Sequence, residues 1–331
     1  MGFTGDSICI KDNLSFERIE NLKEGDYLYN PNNKKSSKII RIENYYSNQG
    51  YILKTQNFYE MNISEKTLLK GSLLGFSKNS NEKFLKSPTF KKPEELNKLS
   101  FLIAPIINTN STKEFKELFL YSKVILKGNY NKDKLSFNNF KDKYSYYSNN
   151  LNESFDLEIG TNRNVRTIYL KNIEDIFWID DISKKTSQRK LNENLFYISN
   201  NDFLYFLNEF LRENSSQFLD ENNFRVYVQS KIISTQMFYL IIDYLRDIPN
   251  IELVKKDIWD CKTTTISSNK KNKFAITCHN DLNKAIIKED CIFQQISQID
   301  RNNRNLKYYN IITEDNEPFI VYNSIVVPDI E

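Results

Sequence analysis

Cys278-His279, with Cys261 and Cys291 flanking it along the chain, is a set of residues whose types could ligate a soft metal. Zinc sites of this composition are built on a short chelating pair such as C-x-x-C, and none occurs, so the three cysteines read as buried thiols rather than as a metal centre. His279 is the sole histidine. Its setting reads as an ordinary strand position, which leaves general acid–base chemistry without its usual imidazole. A second pattern is more promising. From Phe224 to Ser230 polar and apolar residues alternate, placing Arg225, Tyr227 and Gln229 on one face of an extended segment and Phe224, Val226 and Val228 on the other. Arg and Gln match guanine and adenine edges, so this face could read duplex DNA.

The elements that must position these groups change character along the chain. Residues 3 to 105 read as short strands: Ser7 to Ile10, Tyr27 to Tyr29, Lys38 to Glu43 and Tyr51 to Thr55 are alternating or β-branched. Turn chemistry at Gly5-Asp6, Gly25-Asp26, Pro31 to Asn33 and Asn48 to Gly50 separates them. From about 111 the period becomes helical. Lys113 to Lys127 carries apolar residues at Phe115, Leu118, Phe119, Val124 and Ile125, with Ser111-Thr112 as a cap. Strands are expected over Lys134 to Phe137, Phe155 to Ile159 and Arg163 to Leu170, then a helix over Asp202 to Asn214. The Phe224 to Ser230 strand follows, then an amphipathic helix over Thr235 to Asp247 and an extended Lys273 to Cys278. Residues 111 to about 284 thus use an α-then-β plan twice, and Leu306 to Val327 returns to β. All-β sequence flanks an α+β insert.

Length and composition agree. The 331 residues exceed a single core of typical size, and 40% hydrophobic content is too apolar for a disordered chain. With 46 basic against 43 acidic residues the net charge is +3, so any DNA-binding face must be local. Four cysteines without a close pair suit a reducing compartment. The absence of a membrane-length apolar run, and of a secretion signal over Met1 to Lys11, points to an intracellular protein of nucleus or cytoplasm, with no membrane partner.

Several blocks carry a family resemblance. Gly2-Phe3-Thr4-Gly5-Asp6-Ser7, followed by Ile19 to Asp26, resembles the N-terminal block of inteins, whose Hint fold is shared with hedgehog autoprocessing domains. Lys92 to Leu99, continuing through Ala104-Pro105, is similar to the strand that re-enters the Hint sheet. Tyr308 to Ile312 and Phe319 to Val327 resemble its closing strands. Leu120 to Gly128 and Phe206 to Ser215 resemble the two helices that name the LAGLIDADG homing endonucleases. In this order, across nearly the whole chain, the blocks resemble the HO-like group of intein-derived endonucleases. The resemblance implies an all-β Hint domain (1–108 and 286–331) interrupted by an α+β duplicated LAGLIDADG endonuclease-like domain at 109–285, with pseudo-repeats at about 109–185 and 186–285.

It also implies that the family's chemistry has been lost. Splicing needs a first-position Cys or Ser, a His in the T-x-x-H block and a terminal His-Asn followed by a nucleophile. Those positions here hold Gly2, Thr67 (with Ser64 for the block's Thr), and Pro328-Asp329. A competing register places Tyr322-Asn323-Ser324 at the terminus and restores an asparagine and a serine. Cleavage needs one acid at the end of each helix to hold divalent metal, and those positions hold Lys127 and Asn214. Glu209 falls where a family glycine lets the helices approach, so its carboxylate needs a base, with Lys127 or Arg212 at hand. Glu213 or Asp133 could supply a displaced ligand, in which case Mg²⁺ would be a cofactor and the chain an active site-specific endonuclease; otherwise no cofactor is expected. The saddle of strands implies contacts to double-stranded DNA from Arg163, Arg166, Lys171, Arg225, Gln229, Lys231, Lys270, Lys271 and Lys273. The expectation is a monomeric DNA-binding protein, with a scaffold for an unidentified protein partner as the other outcome.

Overall fold

The computed structural model describes residues 2–56, 58, 60–76, 83–107, 109, 112–131, 134–140, 156–162, 165–171, 173, 176–220, 223–245, 263–268, 274–279, 286–288 and 290–328. The molecule is built largely of antiparallel β-sheet with few helices. Its large sheet has 16 strands among the described residues, and it draws on both ends of the chain. Phe3–Thr4 lies between Met61–Ser64 and Leu306–Thr313, and Ser100–Pro105 pairs with Cys291–Asn302. Among the described residues, none between 106 and 285 belongs to this sheet. Ser100–Pro105 is buried at every position, as a central strand covered on both faces must be, whereas Lys35–Ser47 alternates buried and exposed along its inner half.

The excursion contains two further four-stranded sheets with one shared plan. Asn129–Asn131, Lys134–Phe140, Asp156–Asn162 and Val165–Lys171 lie in the order first, second, fourth, third; Ser215–Asp220, Asn223–Val228, Thr263–Ser268 and Phe274–His279 do the same. A helix precedes each sheet: α1 (Leu118–Lys127) the first and, after the short α2 (Ile179–Ser183), α3 (Asn200–Asn214) the second. α1 and α3 pack against each other, with the Tyr121 and Phe206 rings stacked at 6.1 Å. The α-then-β plan used twice is therefore an architectural repeat.

Two helices depart from expectation. The first begins at Leu118 instead of Lys113, behind a left-handed Glu117 (φ 54°). Residues upstream find tertiary partners that outcompete a helical turn: the Phe115 ring packs on Tyr121 and Phe177 at 5.0 and 5.1 Å, and the Lys113 amide donates to the Tyr197 carbonyl. Ser111 of the expected cap lies outside the described residues. The last helix, α4 (Lys231–Leu245), begins four residues before the expected Thr235, because Ser230 caps it by accepting from the Ile233 amide. It is not amphipathic. Every residue from Ile232 to Ile242 is buried, because α4 runs between the large sheet and the insert. Phe238 meets Phe58 edge-on at 5.3 Å on one side, while Tyr244 stacks on Phe203 at 4.4 Å on the other. No helix among the described residues is long and apolar enough to cross a membrane.

Candidate functional site

Three separated stretches meet at Gly2. The Gly2 amide donates to Thr67 Oγ1 at 3.2 Å, the Thr67 hydroxyl donates to the Gly2 carbonyl at 3.0 Å, and the Ser64 hydroxyl lies 3.2 Å from that of Thr67. The Ser64 amide donates to the same carbonyl at 2.8 Å. The closing strand Ser324–Val327 runs antiparallel to Leu68–Phe76, with Val327 opposite Leu68, so buried Pro328 follows one step along toward Thr67. Asp329 lies outside the described residues. A Cβ on Gly2 would sit 2.7 Å from the Tyr45 hydroxyl and 2.8 Å from Tyr308 Cβ, so the space a nucleophilic side chain needs is already filled. Among the described residues, hydroxyls and amides surround the Gly2 peptide here.

Tyr322-Asn323 does not end anything. It forms the two-residue turn of the hairpin between Phe319–Val321 and Ser324–Val327, with Val321 paired to Ser324. Tyr322 takes φ 53°, an unusual conformation for an aromatic residue. Tertiary bonds hold it there: its carbonyl accepts from the Tyr239 hydroxyl at 2.7 Å and its amide donates to the Ile8 carbonyl at 2.8 Å. Asn323 is buried, donating to Gln294 Oε1 at 2.7 Å and to Thr55 Oγ1 at 3.2 Å. The register that would place a terminal asparagine and serine here meets an internal turn.

The helix pair forms the second candidate. Lys127 is the exposed last residue of α1, and Asn214 is the last residue of α3. The side chains of Asn214, Arg212 and Glu213, and all of Asp133, lie outside the described residues. At the end of α1 the carbonyls left without helical partners are taken by Arg189: NH1 donates to the Ile125 carbonyl at 3.0 Å and NH2 to the Gly128 carbonyl at 2.6 Å. A guanidinium at a helix C-terminus is favoured by the dipole, and a divalent cation there would meet a fixed positive charge on oxygens already bonded. The donors at the end of α1 do not fit Mg²⁺. Among the described residues no group of three or more His, Cys, Asp or Glu is placed to hold a metal ion.

Glu209 does find a base, but one turn away from the expected Lys127. Lys123 Nζ reaches Glu209 Oε2 at 2.6 Å and the Glu209 carbonyl at 3.1 Å, with the two side chains 0% and 4% exposed. This pair sits between α1 and α3, where closer packing of the helices would need small residues. Alongside, the Asn192 amide donates to the Tyr121 hydroxyl at 2.7 Å, and Asn192 Nδ2 donates to Asp181 at 3.1 Å. Burial pushes the Asp181 carboxyl up to about 6 against the opposing pull of Asn192, with Glu193 adding to the rise.

The described residues expected to touch DNA lie on separate elements. Arg163, Lys270, Lys271 and Lys273 lie outside the described residues, as does Cys261. Arg166 and Lys171 share the strand Val165–Lys171, whose two ladders run without a bulge, so five residues apart they belong to opposite alternate sets. In the second sheet Arg225 and Gln229 occupy the set opposite buried Val228, and Gln229 is exposed just past the strand end. Lys231 is otherwise engaged. Its ammonium binds Asp6 at 2.6 Å and lies 4.7 Å from the centre of the Tyr322 ring, at the junction of α4 with the large sheet. Burial pulls Lys231 below the usual lysine range, with Asp6 resisting. Cys278 and His279 lie in the strand Phe274–His279 of the second small sheet and Cys291 in the large sheet.

Lys123 and Arg189 escape sequence reasoning. Lys123 stands in an apolar helical run, where a lone charge signals a buried partner. Arg189 sits in the basic, non-periodic stretch Lys184 to Lys190, which gives no hint of its target. No protein-family model matches the chain, and no curated protein matches it.

Proposed function

We propose that the chain is an HO-like, intein-derived homing-endonuclease homologue that neither splices nor cuts and is retained as a double-stranded DNA-binding protein. One observation carries this reading: a helix followed by four antiparallel strands in the order first, second, fourth, third occurs twice, with the two helices packed together. That unit interrupts a sheet assembled from both ends of the chain, as a LAGLIDADG-like insert in a Hint domain would. The boundaries proposed with this reading are 108/109, 185/186 and 285/286.

In this reading Gly2, Thr67 and Pro328 are the remains of a splicing centre, kept for packing. Their convergence favours the register that places Pro328-Asp329 at the family's terminal position. Cleavage is lost because Lys127 and Arg189 make the end of α1 cationic where two-metal hydrolysis requires carboxylates. In this reading binding uses the second small sheet, with Arg225 and Gln229 meeting base edges and neighbouring cations on phosphates.

The test measures both halves. Random-sequence duplex should bind the full chain, with an affinity that falls linearly in log–log form as salt rises. Supercoiled plasmid incubated with Mg²⁺ or Mn²⁺ should remain un-nicked. Absence of duplex binding at low salt overturns the DNA-binding reading, and metal-dependent nicking makes the chain an active endonuclease with altered ligands.

A further inference from the structure

A cleft of about 320 Å³ separates the two parts of the molecule beside the Lys231–Asp6 contact. One wall is the strand Phe16–Arg18 with the turn after it, contributing Glu17, Arg18 and Glu20. The other is the basic stretch between the two repeats, contributing Lys184, Gln188 and Lys190, and Ile232 of α4 also lines it. The basic wall is rigidly held from behind. Besides the end of α1, Arg189 donates to the Lys184 carbonyl at 3.1 Å, and the Leu191 amide and carbonyl are clamped by the Gln236 amide group at 2.7 and 2.8 Å. The side chains at the mouth thus stand on backbone tied down by hydrogen bonds.

The two walls differ in what remains unsatisfied. On the acidic wall Glu20 binds Arg18 at 3.3 Å, while Glu17 Oε1 accepts from Asn21 Nδ2 at 2.8 Å and from the Arg18 amide at 3.0 Å. On the basic wall neither Lys184 nor Lys190 forms an ion pair with a described residue; both ammonium groups act on the Asp181 carboxylate only at longer range, although carboxylates line the same cleft. Two ammonium groups and the Gln188 amide on one rigid loop, with the facing carboxylates already bonded, match a compact anion with several acceptor oxygens.

The geometry points to this cleft as an oxyanion site of the phosphate class, seated on Lys184 and Lys190 between the two parts of the molecule. Its ligand is a free phosphate compound or a phosphodiester of a nucleic-acid backbone, since both present the same oxygens. The site does not depend on the DNA-binding reading, because a free phosphate would occupy it equally.

Inorganic pyrophosphate titrated into the full chain at constant ionic strength tests it, read as the thermal unfolding midpoint. The wild type should show a saturable rise. Lys184→Gln/Lys190→Gln should weaken the apparent Kd at least tenfold, whereas Lys35→Gln/Lys38→Gln, which removes two exposed cations elsewhere, should leave it unchanged. The unliganded midpoints of both variants verify that they fold. No rise in the wild type, or an equal rise in the Lys184/Lys190 variant, overturns the proposal. Random duplex added to the saturated sample separates the sources: displacement of pyrophosphate assigns a phosphodiester, and persistence of the shift assigns a free phosphate ligand, the site standing in either case. Failure of duplex to bind at all would overturn the DNA-binding reading while leaving the site intact.

Discussion

Two lysine–carboxylate pairs of equal length hold this molecule together in different ways. Lys123–Glu209 joins the two helices of the insert at 2.6 Å with its side chains 0% and 4% exposed; Lys231–Asp6 joins the insert to the large sheet at 2.6 Å with side chains 13% and 54% exposed. Distance alone would rank them equal. Burial separates them: in the insert both charges have left water and attract in a low-dielectric setting, while at the junction Asp6 keeps half its solvent and screening limits the attraction. The insert is therefore the more brittle region and the junction the more adjustable one.

The sharpest way to break the comparison is to remove one partner of the buried pair. Lys123→Met removes the ammonium that meets Glu209 between two helices, and the expected loss is about 3–5 kcal/mol in denaturant unfolding. Lys123→Met/Glu209→Leu should recover nearly all of it, since an apolar pair of similar volume carries no desolvation penalty. A single variant within about 1 kcal/mol of wild type would mean that water reaches the pair and that the two regions do not differ as described.

Acidity offers a second contrast, because Asp181 in the insert and Asp6 at the junction respond to pH with opposite sign. Burial raises the Asp181 carboxyl from 3.8 to about 6. Its native state favours the protonated form, so the contribution is fully present below about pH 4 and is lost as pH rises toward 6. Asp181→Asn should therefore match wild type in acid and exceed it above pH 6, by about 3 kcal/mol at most. A difference between the two proteins that does not change across this window would place the Asp181 carboxyl in water.

The end of α1 tests the insert further. Arg189→Met removes the donors to the Lys184, Ile125 and Gly128 carbonyls, and a loss of about 2 kcal/mol is expected, tempered by water reaching the freed oxygens. The same change should be required before carboxylates can bind metal there. Lys127→Asp/Asn214→Asp alone should take up no Mn²⁺ by calorimetry, and adding Arg189→Met should permit uptake. Uptake by the double variant would show that Arg189 does not block the site.

Much of the architecture was legible from local chemistry. Turn pairs such as Gly25-Asp26, where Gly25 adopts φ +90°, and the alternation of Phe224 to Val228 delimit strands close to their observed ends. The repeat could be read as element types, but its identical strand order could not, because order is fixed by long-range pairing. Helix α4 was misread because periodicity assumes one wet face, while the run Phe238-Tyr239-Leu240-Ile241-Ile242 is apolar in every direction. For the sites, the block pattern related Gly2 to Thr67 across 65 residues, where spacing alone could not. Spacing points Glu209 to Lys127 or Arg212 at the helix ends, and packing places its partner one turn before Lys127, at Lys123. The engagement of Lys231 with Asp6 could not be seen, since the two lie 225 residues apart.

The smallest expected effect belongs to that junction. Partial burial pushes the Asp6 carboxyl up, but the Lys231 ammonium and its hydrogen bond, with help from Thr4 and Arg18, hold it below the usual carboxylate range. A depressed native value means that the contribution is present above the unfolded value of about 4 and disappears as pH falls below it. Asp6→Asn should thus lower stability by under about 1 kcal/mol at neutral pH, less at high salt, and nothing in strong acid. A double-mutant cycle with Lys231→Met isolates the pair from the loss of lysine's contact with the Tyr322 ring. Coupling as large as that of Lys123–Glu209 would erase the distinction between the two regions. Coupling near zero would mean that the junction rests on the Tyr239 bond to the Tyr322 carbonyl and on the aromatic contacts around Phe58.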